Sequence, residues 1–172
     1  VVRQEKENIE SNYYDRFRGR LMFPIFDGQA RAIGFGGRVL GEGEPKYLNT
    51  SETPVYRKGQ VLYGQHLAKE AYRKQDRALI VEGYFDVIQC HQSGIENTVA
   101  TCGTALTPGQ CLSIKHFTQN AILLFDSDKA GKSAADRGFD VLLAQGLTVS
   151  VAALPAGEDP DSFLSKGQRD AF

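Results

Sequence analysis

From Arg77 onward, short apolar runs alternate with amphipathic stretches, and that alternation restricts the fold more than any other feature of the chain. ALIV (78–81) reads as a short buried strand, and YFDVIQCHQSG (84–94) has helical spacing closed by Gly94. TVATC (98–102) is a second strand. TPGQCLSIKHF (107–117) is a helix with Thr107 at its cap and Pro108 at its first position. AILLF (121–125), a helix over 130–146 closed by Gly146, and TVSVAAL (148–154) complete the series. Four strands separated by helices imply βαβ units, hence a four-stranded parallel sheet flanked by helices in an α/β fold.

The first third reads differently. RLMFPIF and RAIGFGGRVL flank the turn DGQA as an antiparallel hairpin, KYLN starts a further strand, and LYGQHLAKEAYRKQ (62–75) is helix-like. We therefore expect part of a smaller, antiparallel β-containing subdomain over residues 1–60 and the parallel-sheet domain over 61–172, with the boundary near 58–62. The aromatics Tyr13, Tyr14, Phe17, Phe23 and Phe35 are assigned to core. The glycines of IGFGGR are read as loosening a strand, because no acidic ribose-binding partner follows a strand at the right distance.

Charge divides along the same line. Residues 1–77 carry 14 Lys and Arg against 10 Asp and Glu, a balance of +4, and residues 78–172 carry 6 against 11, a balance of −5. A basic half joined to an acidic half suits a polyanion track beside a metal site. Three cysteines without a CxxC pair argue against a disulfide framework or a zinc site. No apolar run approaches the roughly 20 residues of a membrane helix, so no membrane partner and a cytoplasmic location are expected. An opening Val1 in place of methionine is what a piece of a longer chain would show.

In an open parallel sheet, ligands bind beyond the carboxyl ends of the strands. Acids fall there repeatedly: Glu82 and Asp86 after ALIV, Asp126 and Asp128 after AILLF, and Glu158, Asp159 and Asp161 after TVSVAAL. Crowded carboxylates raise one another's pKa and repel, unless a cation joins them. Mg²⁺ commonly takes one or two carboxylates, with water and phosphate filling the remaining positions. Alone, DSD would be better read as a helix cap at Asp128; its recurrence with Glu82 and DPD favours metal. Calcium-loop spacing fails at Ala130 and Arg137, and a phosphate-binding GxxxxGKS fails because Asp126 stands where its first glycine belongs.

EGYFDV, FDSDKAGKSAADR and GEDPDSF together resemble the TOPRIM domain of primases, topoisomerases and some nucleases. RFRGRLMFPI, IGFGGRVL, PKYLNTSET and YRKGQVLYG extend the resemblance to bacterial DNA primases of the DnaG type over essentially the whole chain. The resemblance implies a Rossmann-like TOPRIM sheet with Glu82, Asp126 and Asp128 as catalytic metal-binding acids and Asp86, Asp159 and Asp161 as secondary acids. It implies Mg²⁺ or Mn²⁺ as cofactor, and Arg38, Lys46, Lys58 and Tyr84 at nucleotide or template. Implied partners are single-stranded DNA template, ribonucleoside triphosphates, the RNA primer and, through a segment absent here, a replicative helicase, in a bacterial cytoplasm. DSD replaces the commoner DGD at the non-ligand position. Two other readings are a TOPRIM nuclease or topoisomerase fragment, and a fragment that binds metal or nucleotide without catalysis.

Overall fold

The computed structural model describes residues 2–3, 13–126 and 128–172. A two-stranded antiparallel ribbon pairs β1 (Val2–Arg3) with β2 (Tyr13–Tyr14). A three-stranded antiparallel sheet follows, in the order β3 (Arg20–Phe26), β4 (Ala32–Val39), β5 (Tyr47–Asn49). The expected hairpin is β3–β4. Its turn is held by Asp27, whose carboxylate accepts the backbone N–H of Gln29 and Arg31.

β4 buries Gly34 and Gly36 on its inner face, so Phe35 points outward opposite Pro24 and is 44% exposed. Phe35 is therefore not core, because it lies on the face of the strand opposite Gly34 and Gly36, and that face is uncovered at this position. Phe23, on an inward position of β3, is buried; Tyr14 and Phe17 are half-buried, and the side chain of Tyr13 lies outside the described residues.

The second sheet is parallel with strand order β7 (Thr98–Ala100), β6 (Ala78–Val81), β8 (Asn120–Leu123), β9 (Thr148–Val151). Every residue of β6 is buried because helices cover both faces. Ala78 and Ile80 pack toward α1 (Gln65–Gln75), α3 (Pro108–Lys115) and α4 (Lys129–Ala144), beside Tyr72, Ile114 and Leu142. Leu79 and Val81 pack toward α2 (Tyr84–Gln92) and α5 (Pro160–Ser165), beside Val87, Cys90 and Leu164. The fold class is the expected one.

Boundaries shift for local reasons. α1 starts at Gln65 rather than 62, because Tyr63 is extended and exchanges both backbone hydrogen bonds with Ala100. The strands stop two or three residues early, where the chain leaves the ladder to form the loops of the site. Thr107 caps α3 as read, accepting the N–H of Gln110.

β6 lies between β7 and β8, so the connections from β6 and β8 diverge to opposite sides and leave a crevice over their ends. Phe23, Ile25 and Tyr56 meet Tyr84 in a third apolar cluster, which seats the antiparallel sheet against the first turn of α2 and hence beside that crevice.

Candidate functional site

The parallel pairing of β6 and β8 places Glu82 and Asp126 side by side. The backbone N–H of Asp126 donates to Oε1 of Glu82 at 2.9 Å, so the two acids are neighbours although 44 residues apart. The other oxygen of Glu82 has no hydrogen bond among the described residues. Asp86, one turn into α2, is buried and accepts the N–H of Gly83 at 2.9 Å. Asp159 caps α5 by accepting the N–H of Ser162 at 2.7 Å, and Asp161 follows in the first turn of that helix.

Glu82, Asp86, Asp126, Asp159 and Asp161 line one cavity of about 590 Å³. Burial first, and then the charges of Asp159 and Asp126, push Asp86 up to about 6 against the opposing hydrogen bond from the Gly83 N–H. Burial and then Glu82, Asp159 and Asp128 push Asp126 to the same value. Both shifts record negative charge held where water solvates it poorly.

The same cavity is lined by Arg16, Arg38, Lys46 and Lys58. Arg38, on β4, lies over the ring of Phe85 at 5.1 Å, a cation–π contact that holds the guanidinium at the cavity wall. Arg16 donates weakly to the carbonyl of Asn49 at 3.5 Å, and its buried Nε has no partner. Among the described residues none of these cations is ion-paired: the salt bridges are Arg31–Asp27, Arg73–Glu70 and Lys166–Glu158. Glu158 is thus engaged with Lys166. Four cations and five carboxylates that line one cavity without pairing leave room for a ligand carrying both signs.

Asp128 behaves differently. It is exposed, does not line the cavity, and caps α4 by accepting the N–H of Gly131 at 2.7 Å. Its charge still reaches Asp126. The first turn of α4 comes so close to the DSD loop that a Cβ at position 131 would lie 2.2 Å from the carbonyl oxygen of Asp126, which requires glycine there. Tyr84 lines the cavity but is 2% exposed, with its hydroxyl donating to Asn49. Arg16 and Asn49 escaped the sequence reading; one is an arginine among several in DRFRGR and the other a single polar residue in a three-residue strand.

The donor set fits a hard divalent cation. All its members are carboxylates, and among the described residues no lysine or arginine forms an ion pair with them. Among the described residues no group of three or more acids, histidines or cysteines is arranged to hold a metal ion, so an ion here would take at most two protein ligands, the rest being water and phosphate.

Comparison with known proteins assigns the two halves. The family described as "DNA primase catalytic core, N-terminal domain" matches residues 2–69, and the family described as "Toprim-like" matches residues 79–164. The DNA primase of Clostridium acetobutylicum is 46% identical over 159 residues, covering 92% of this chain and 26% of that protein. The zinc-binding and RNA polymerase domains of the Aquifex aeolicus primase superpose with a TM-score of 0.89 at 38% identity, covering 96% of this chain and 41% of that one. A DnaG primase catalytic domain bound to single-stranded DNA gives a TM-score of 0.84 at 44% identity, covering 92% and 51%. The chain spans about a quarter of the length of the curated relatives it matches. With both family matches in sequence order, and the fold shared across them, the chain belongs to the DnaG primase family, as a segment joining the amino-terminal part of the catalytic core to a Toprim-like domain.

Proposed function

We propose that this chain carries the nucleotidyl-transfer centre of a primase, a DNA-directed RNA polymerase that makes short RNA primers on single-stranded DNA. The observation that carries this reading is one cavity lined by four cations and five carboxylates, with no ion pair between them among the described residues. The likeness to a catalytic domain bound to single-stranded DNA supports DNA as template.

Glu82 and Asp126 are the proposed inner ligands of Mg²⁺ or Mn²⁺, with Asp86, Asp159 and Asp161 around them and Asp128 at the rim. When bound, the divalent ion neutralises charge developing on the transferred phosphate and lowers the pKa of the attacking hydroxyl. Arg38, Lys46, Lys58 and Arg16 hold the triphosphate and the template backbone, in a sequence-independent and salt-sensitive way. The backbone N–H of Asp126 orients Glu82, leaving its second oxygen for a ligand or for the departing proton. The 3′-hydroxyl of one ribonucleotide attacks the α-phosphorus of the next, and pyrophosphate leaves held by the cations of the cavity. Ribonucleoside triphosphates, the primer, a replicative helicase reached through a segment outside this chain, and a bacterial cytoplasmic setting belong to the same proposal. Among the described residues no helix is long and apolar enough to cross a membrane.

The test is direct. The full-length parent, given single-stranded DNA, labelled ribonucleotides and Mg²⁺ or Mn²⁺, should produce short RNA, and Asp126→Ala should abolish it. Nicked DNA without RNA would instead indicate a Toprim nuclease.

A further inference from the structure

Asn49 lines the cavity and has no part in the chemistry just described, yet it joins three segments of the chain. The Tyr84 hydroxyl donates to its Oδ1 at 2.7 Å. Its own Nδ2 donates to the carbonyl of Cys102 at 2.9 Å. Its backbone carbonyl accepts from Arg16. One side chain on β5 is thereby tied to the first residue of α2 and to the loop after β7, partners 35 and 53 residues away in sequence. The N–H of Cys102 in turn donates to the backbone carbonyl of Glu82 at 3.0 Å, so the link ends on the main chain beside the acid and not on its carboxylate.

Tyr84 is suited to transmit position. Its ring is stacked on Phe23 at 4.6 Å and edge-on to Tyr63 at 4.7 Å, so it has little room to move. β4 passes so close that a Cβ at Gly36 would lie 2.3 Å from the Tyr84 hydroxyl oxygen, and only glycine admits that approach. The Tyr84 side chain is buried to 2% exposure, and its hydroxyl donates to Asn49, which lines the cavity.

We propose that Asn49 and Tyr84 are positioning residues that fix the cations of the cavity, drawn from residues 16–58, relative to its acids, drawn from residues 82–161, so that one nucleoside triphosphate reaches both. The inference rests on the functional reading above and adds to it the device that sets the spacing. The acids keep their own supports, Asp126 N–H to Glu82 and Gly83 N–H to Asp86, and these do not pass through Asn49. Breaking the link should therefore weaken triphosphate binding and leave the metal's hold on the carboxylates intact.

The full-length parent, with Asn49→Ala, Tyr84→Phe and the double variant, separates these effects. Binding of a fluorescent ribonucleoside triphosphate in Mn²⁺, binding of Mn²⁺ alone by electron paramagnetic resonance, and thermal midpoint are measured for each. Tyr84→Phe retains the ring packing and so remains informative if Asn49→Ala fails to fold. Each single variant should lose about tenfold in triphosphate affinity with Mn²⁺ affinity within about twofold, and the double variant should be no weaker than the weaker single. Unchanged triphosphate binding, a parallel loss of Mn²⁺ binding, or additive effects would each overturn the inference. A wild type that binds no triphosphate overturns the functional reading together with this one, whereas normal wild-type binding and unaffected variants overturn this one alone.

Discussion

At the scale of single residues, the site is governed by carboxylates kept ionised against their surroundings. Asp86 and Asp126 are pushed from 3.8 up to about 6, first by burial and then by neighbouring acids. A folded pKa above the unfolded one means that the folded state binds the proton more tightly. The metal-free protein should therefore lose stability as pH rises from about 4 through 6, over the window in which the folded state must ionise both groups. A cation binds the ionised form, so Mn²⁺ should raise the thermal midpoint more at about pH 7.5 than at about pH 5. Thermal denaturation with and without Mn²⁺ at the two pH values checks this, and an equal or larger shift at the lower pH would contradict it. That Glu82, Asp86, Asp126, Asp159 and Asp161 gather at one cavity was legible because each lies just beyond a strand, whereas Asp128 and Glu158, named by the same pattern, do not line it. Asn49 was not: its importance comes from partners 35 and 53 residues away, which no local pattern encodes.

At the scale of elements, the two helix amino termini of the site separate charge from capping. Asp128 caps α4 and Asp159 caps α5, so an alanine at either position removes a cap and a charge at once. Serine keeps the cap and removes only the charge. Asp128→Ala and Asp159→Ala should each cost about 1 kcal/mol of stability, and the serine variants about half of that or less. If the carboxylates also serve the metal, serine and alanine should impair priming alike; priming retained in Asp128→Ser would make that residue a cap only. Urea denaturation and primer synthesis on the four variants provide the comparison. The strands were easy to read because β6 is continuously buried, but α5 was not, since in PDSFLS the capping residues Asp159 and Ser162 stand within a run that reads first as an acidic cluster. β4 shows the reverse error: apolar Phe35 resembled core until the register of Gly34 and Gly36 turned it outward.

At the scale of the whole molecule, the charge gradient along the sequence is gathered into one cavity. Its four cations come from residues 16–58 and its five acids from residues 82–161, so each half of the chain contributes one sign. Composition could report the imbalance but not that the two halves face each other, which depends on the cluster of Phe23, Ile25, Tyr56 and Tyr84 between the sheets. The central claim is that Glu82 and Asp126, brought together by adjacent strands, hold a divalent cation. Direct titration of the full-length parent with Mn²⁺, followed by electron paramagnetic resonance, tests it in wild type, Glu82→Gln and Asp126→Asn. Outer-shell changes at metal sites cost about tenfold in affinity, and loss of a ligand should cost at least that. We predict saturable Mn²⁺ binding by the wild type, weakened about tenfold or more in both variants while they remain folded; wild-type Mn²⁺ affinity in either variant would contradict the account.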